Sequence, residues 1–120
     1  MKILIVDDSK TMRRIIMRSL AKAGFADAEI AEAENGRDGC AVVSEFQPEV
    51  ILCDWNMPDM PGIEFLSQIR EAGNKSVFGF ITSECGDSVR QAATERGADF
   101  FITKPFTVED LQGAIKGVLA

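Results

Sequence analysis

Short apolar runs alternate five times along this chain with stretches of helical periodicity, and that alternation restricts the fold more than any other feature. The strand-like runs are Ile3-Leu4-Ile5-Val6, Glu29-Ile30-Ala31-Glu32-Ala33, Val50-Ile51-Leu52-Cys53, Val77 to Ile81 and Phe100-Phe101-Ile102. After the first, Met12, Ile15, Ile16, Leu20 and Ala23 recur at helical spacing, with Ser9 as N-cap and Gly24 as left-handed stop. A second helix around Cys40, Val43 and Phe46 starts near Asn35 and stops before Pro48, and a third carries Ile63, Leu66 and Ile69 before Gly73. A fourth runs roughly from Asp87 to Arg96, with Ser83 or Asp87 as cap, and a fifth carries Leu111, Ala114, Ile115 and Val118. Parallel strands need crossover connections, so this pattern predicts an α/β fold: a doubly wound (βα)5 parallel sheet with helices on both faces.

Polarity orders the strands. The first, third and fourth are nearly all apolar and belong in the centre; the second carries glutamates and the fifth opens with Asp99, which suits edges. The expected order is 2-1-3-4-5, that of flavodoxin-like sheets, whose ligands bind at the carboxyl ends of the strands. At 120 residues and 46% hydrophobic content, residues 1–120 are expected to form one domain, with nothing left for an effector module.

Charge and composition remove whole classes of function. Lys+Arg of 13 against Asp+Glu of 19 gives a net charge of −6, with the basic residues scattered, so the footprint for nucleic acid or membrane is missing and a protein partner is expected. Cys40, Cys53 and Cys85 form no C-x-x-C, and the amino terminus has no signal-peptide pattern, which predicts a reduced, cytoplasmic setting. No apolar run is long enough to span a bilayer. There is no histidine, which excludes Ser-His, Cys-His and zinc hydrolases and any autophosphorylation on histidine.

What the strands end in points to chemistry. Asp7 and Asp8 follow the first, Asp54 the third, Thr82 the fourth and Lys104 the fifth, so the topology gathers three carboxylates, a hydroxyl and an ammonium at one crevice. Two like charges ~5 Å apart at an effective dielectric near 20 repel by roughly 3 kcal/mol. Either one carboxyl has a raised pKa or a cation sits among them, and oxygen ligands without histidine or thiolate favour Mg2+, with Mn2+ as the alternative. A carboxylate needs no general base to attack phosphorus, so Asp54 reads as a nucleophile forming an acyl phosphate. Lys104 and the cation would neutralise the arriving charge, and the Thr82 hydroxyl would donate to a phosphoryl oxygen.

These segments carry a family resemblance. Ile3-Leu4-Ile5-Val6-Asp7-Asp8, Leu52-Cys53-Asp54-Trp55-Asn56-Met57-Pro58, Pro61-Gly62, Ile81-Thr82-Ser83 and Lys104-Pro105-Phe106 resemble, in order and spacing, the receiver domains of two-component response regulators. The resemblance spans essentially the whole chain, and Asp54 to Pro58 is especially similar to the single-domain chemotaxis regulators. It implies that Asp54 is the phosphoacceptor and that Asp8, Asp54 and the Asn56 backbone carbonyl bind magnesium, with Asp7 holding a metal-bound water. It further implies that Lys104 pairs with the phosphoryl group or with Asp54, that its bond to Pro105 is cis, and that Thr82 swings toward the phosphoryl oxygen. Phe101 falls at the family's switch aromatic, commonly tyrosine, so packing can couple but no phenol can bond. Asn56 and Glu84 match the family's lifetime-tuning positions.

The expectation is therefore a stand-alone signalling switch, catalysing only its own phosphorylation and dephosphorylation. Its donor would be a histidine kinase. A monomer is expected, signalling through the face of the fourth helix, fifth strand and fifth helix to a target such as a flagellar motor switch or another signalling protein. An aspartate-nucleophile phosphohydrolase acting in trans uses similar parts, yet such enzymes place an acid/base aspartate where this chain has Asn56. A flavin-phosphate module would want a glycine- and hydroxyl-rich loop where Asp7 and Asp8 stand.

Overall fold

In the computed structural model, which describes residues 1–119, the apolar runs pair as a parallel sheet in the order β2-β1-β3-β4-β5. The strands are β1 Lys2–Val6, β2 Glu29–Ala33, β3 Val50–Cys53, β4 Val77–Thr82 and β5 Phe100–Thr103. The helices are α1 Lys10–Leu20, α2 Gly36–Phe46, α3 Gly62–Glu71, α4 Asp87–Glu95 and α5 Val108–Leu119. The expected strand order and helix count hold. The three apolar strands fill the centre because their residues are covered on both faces.

Alternation along each strand builds two cores. Leu4, Val6, Ile51, Cys53, Phe78 and Phe80 meet Val43, Phe65, Leu66, Ile69 and Ala93 from α2, α3 and α4. Ile3, Ile5, Val50, Leu52, Ile81 and Ile102 meet Ile16, Leu20, Leu111 and Ile115 from α1 and α5. Consecutive side chains on a strand face opposite ways, so Phe101 packs on the first core and Phe100 on the second.

Most helix ends follow local chemistry. The Ser9 hydroxyl accepts the Met12 N–H at 3.1 Å, and the Asn35 side chain accepts the Asp38 N–H at 2.8 Å. Thr107 and Asp110 cap α5 reciprocally: each side chain accepts the other's N–H, at 2.9 and 3.0 Å.

Two local expectations need correction. Ile15, placed in the apolar stripe of the first helix, is 41% exposed, because Met12, Ile16 and Leu20 already supply the face that meets the sheet. Past Leu20 the chain makes one further turn, Ala21–Phe25, which Gly24 breaks at φ +103°, the left-handed stop expected of it. Helix α4 has no side-chain cap: its N-cap is Gly86, at φ +121°, and neither Ser83 nor Asp87 caps it.

Candidate phosphoryl-transfer site

The register lines up the strand ends. Val6 lies opposite Cys53, Cys53 opposite Phe80 and Thr82 opposite Thr103, so the residues that follow β1, β3 and β5 emerge along one edge. Asp7 continues β1 by donating its N–H to the Ala33 carbonyl at 3.1 Å, and Asp54 continues β3 by donating to the Val6 carbonyl at 3.0 Å. Carboxylate oxygens of Asp7, Asp8 and Asp54 lie within 4.8 Å of one another. Asp7 is buried, Asp54 half-buried and Asp8 exposed, which grades the cluster from protein to solvent.

Lys104 completes it. Its ammonium lies 3.3 Å from Asp7 Oδ2 and 3.6 Å from Asp54 Oδ2, at the end of β5 where its own N–H donates to the Thr82 carbonyl at 2.8 Å. The Lys104–Pro105 bond is cis. Asp54 Oδ1 accepts the Trp55 N–H at 2.7 Å, so a backbone amide holds one oxygen while the other faces the ammonium.

Gly62 lets the exit loop fold back onto this edge. Its N–H donates to the Trp55 carbonyl at 2.8 Å, and a Cβ there would collide with the Asp54 carbonyl.

Burial pushes the Asp7 carboxyl above its ordinary value; the Ser9 N–H and Lys104 pull it back down, and the Asp54 charge adds to the rise. Burial, with Asp54 and Asp7 nearby, pushes the Cys53 thiol well up, and that thiol donates to the Asp54 carbonyl. Cys53 is not part of the cluster, whose ligand atoms are all carboxylate oxygens. Three carboxylates face one ammonium, with one of the three out of water. A hard divalent cation with oxygen ligands fits that donor set.

The remaining sequence candidates lie around this centre. Thr82 is fully buried, and its hydroxyl accepts the Glu84 N–H at 3.2 Å rather than reaching Asp54. Asn56 and Glu84 join each other across the β3 and β4 exit loops at 2.7 Å, amide to carboxylate. Phe101 is half-buried, its ring 6.1 Å from Phe80 and 6.4 Å from Trp55.

Two arginines were missed from sequence. Arg13 donates to the Asp7 carbonyl and pairs with Glu32 at 2.9 Å, bracing the β1 exit. Arg90 sits 4.9 Å above the Phe101 ring. Nothing in one-dimensional spacing distinguishes either from a solvated helix arginine. A groove of about 620 Å3 between α2 and α3, lined by Cys40, Gln47, Gln68 and Lys75 among others, contains none of these residues.

Comparison with known proteins agrees with this geometry. Residues 3–116 match the response regulator receiver domain model. A probable chemotaxis protein CheY from Rhizobium etli is 35% identical over 119 residues, covering 98% of this chain and 91% of the relative. Chemotaxis protein CheY1 from Helicobacter pylori is 35% identical over 122 residues, covering 99% and 97%. Among solved structures, chemotaxis response regulator CheY4 of Vibrio cholerae superposes with a TM-score of 0.86 at 31% identity, over 98% of this chain and 97% of that one. The chain belongs to the receiver-domain family of response regulators and so to phosphorelay signalling.

Proposed function

We propose that this receiver domain accepts a phosphoryl group on Asp54 from the phosphohistidine of a histidine kinase and acts as a phosphorylation-driven switch. The observation that carries the reading is the Asp54 carboxylate itself: half-buried, one oxygen fixed by the Trp55 N–H, the other 3.6 Å from the Lys104 ammonium, beside two further carboxylates. In the transfer, an Asp54 oxygen bonds to phosphorus as the bond from phosphorus to the histidine nitrogen breaks, and the electron pair returns to the imidazole. Lys104 then moves from pairing two carboxylates to pairing the phosphoryl oxygens.

Receiver domains bind Mg2+ through acidic residues. Here Asp8, Asp54 and the Asn56 backbone carbonyl would hold the ion directly and Asp7 through a water, with Mn2+ an acceptable substitute. When bound, it would offset the negative charge that builds up as the phosphoryl group transfers.

The Thr82 hydroxyl leaves its bond to the Glu84 N–H for a phosphoryl oxygen, Phe101 follows into the space behind it, and the α4-β5-α5 face shifts in population. The reader of that face is a protein: a flagellar motor switch, as the chemotaxis relatives suggest, or another signalling component. Asn56 and Glu84, bonded to each other beside Asp54, set the lifetime by controlling how water approaches. The catalysis is confined to the protein's own phosphorylation and dephosphorylation. Asn56 offers an amide where an aspartate-nucleophile phosphohydrolase needs an acid. A cytoplasmic monomer suits this role, and among the described residues no helix is long and apolar enough to cross a membrane.

Acetyl phosphate with magnesium should add one phosphoryl group, read by intact mass, and none to Asp54→Asn or after chelation. The same mass gain in that variant would defeat the assignment. Multiple turnover of a small phosphomonoester would instead favour the hydrolase.

A further inference from the structure

We infer that Arg90 is a positioning residue for Phe101, a latch that ties α4 to β5 in the unphosphorylated protein. The inference rests on the switch role proposed above for Phe101. Helix α4 has little else to hold it. Ala93 is its one buried residue, and its N-terminus has no side-chain cap. The Arg90 guanidinium stacks 4.9 Å above the Phe101 ring and, through Nη2, donates to the Thr103 hydroxyl at 3.2 Å. Among the described residues the one other side-chain hydrogen bond that ties this helix to another element is at its far end, from the C-cap Arg96 to the Ser67 hydroxyl of α3 at 2.7 Å.

Phe101 and Thr103 are two apart on β5 and so share a face, which lets one flat cation engage both. The same ring also meets Phe80 and Trp55, at centroid distances of 6.1 and 6.4 Å. Thr103 is the register partner of Thr82, and the Lys104 N–H bonds the Thr82 carbonyl, so the latch closes onto the strand ends that carry the phosphoryl-transfer residues. A phenylalanine has no hydroxyl with which to reach α4. Arg90 supplies the polar tie from the opposite side. A groove of about 360 Å3 lined by Arg90, Phe101, Ile102, Thr103, Asp110 and Ala114 lies alongside, giving the ring and the guanidinium room to separate.

A contact made only in the resting state opposes activation, and by reciprocity its loss should ease phosphorylation. The test uses the full chain with Arg90→Met, which keeps the length of the stem, and Arg90→Lys, which keeps the charge. Amide hydrogen exchange in unphosphorylated protein should be about fivefold faster across residues 87–95 in Arg90→Met, between that and wild type in Arg90→Lys, and unchanged in the β3 core. Phosphorylation by acetyl phosphate should run severalfold faster in Arg90→Met at equal magnesium affinity. In a Phe101→Leu background, Arg90→Met should add little. Unchanged exchange in α4, or an undiminished Arg90 effect without the ring, would overturn the latch. Because exchange is read before any phosphorylation, a chain that took up no phosphoryl group would sink the Asp54 reading and leave the latch to be decided by α4.

Discussion

Asp7 is a carboxylate held where a carboxylate is uncomfortable. It is 2% exposed, and its pKa is raised first by burial and then by the Asp54 charge, against the opposing pull of the Ser9 N–H and Lys104. A raised folded pKa means that Asp7 favours the fold below its ordinary value of 3.8 and loses that advantage as pH climbs through the raised value. At neutral pH, without magnesium, the charge is therefore a liability. Asp7→Asn should stabilise the metal-free protein by on the order of 1 kcal/mol at pH 7 in urea unfolding, and the gain should vanish below about pH 4. A variant no more stable than wild type at pH 7 would show that Lys104 already cancels the penalty. Lys104 invites a second prediction. Its ammonium competes with any cation for Asp7 and Asp54, at 3.3 and 3.6 Å. Lys104→Ala should bind magnesium several times more tightly while failing to switch. Trp55, the single tryptophan, bonded to Asp54 through its N–H, should report that titration by fluorescence. Weakened magnesium binding in the variant would contradict competition.

Between elements, shape decides as much as charge. Gly79 on β4 lies opposite Phe100 on β5, and a Cβ at Gly79 would run into the Phe100 ring. The bare backbone is what lets that ring lie across β4. Gly79→Ala should cost about 1–3 kcal/mol by overpacking, measured as a fall in the urea midpoint at constant slope, and Phe100→Leu should recover part of the loss. No recovery would mean the strain lies in the backbone rather than in the ring. The same comparison shows what a sequence discloses and what it withholds. Strands β1, β3 and β4 were legible because continuous apolar runs can only be buried on both faces, and Ser9 and Asn35 because capping is a contact within four residues. The ends of β1, β3 and β5 were legible as a site because topology alone brings them to one edge. Thr82 belonged to that reading, but its resting bond to the Glu84 N–H is a local turn that no spacing announces. Gly86 hid as an N-cap because it has no side chain to cap with, and Gly79 as a packing residue because its role is written in Phe100, 21 residues on. Arg90 sits on Phe101 only because α4 crosses β5 at a particular offset, and helix docking is a tertiary property.

For the molecule as a whole, excess negative charge and a concentrated acidic edge act together. The net charge is −6, and three carboxylates share one end of the sheet with one lysine close enough to pair. A cation that binds there stabilises the folded chain by mass action, because the unfolded chain cannot assemble ligands drawn from β1 and β3. At a hundredfold excess over Kd the linkage amounts to about 2.7 kcal/mol. Screening of general self-repulsion by salt would also raise stability, so the two must be separated. Asp8 does so: it is exposed, and its replacement by asparagine should change intrinsic stability by less than ~0.5 kcal/mol. Magnesium at matched ionic strength should raise the urea midpoint of wild type and leave Asp8→Asn nearly where sodium leaves it. Equal stabilisation of both proteins would assign the effect to diffuse screening. The magnesium reading would then have to give way, because a bound ion must lose affinity when one of its three carboxylates loses its charge.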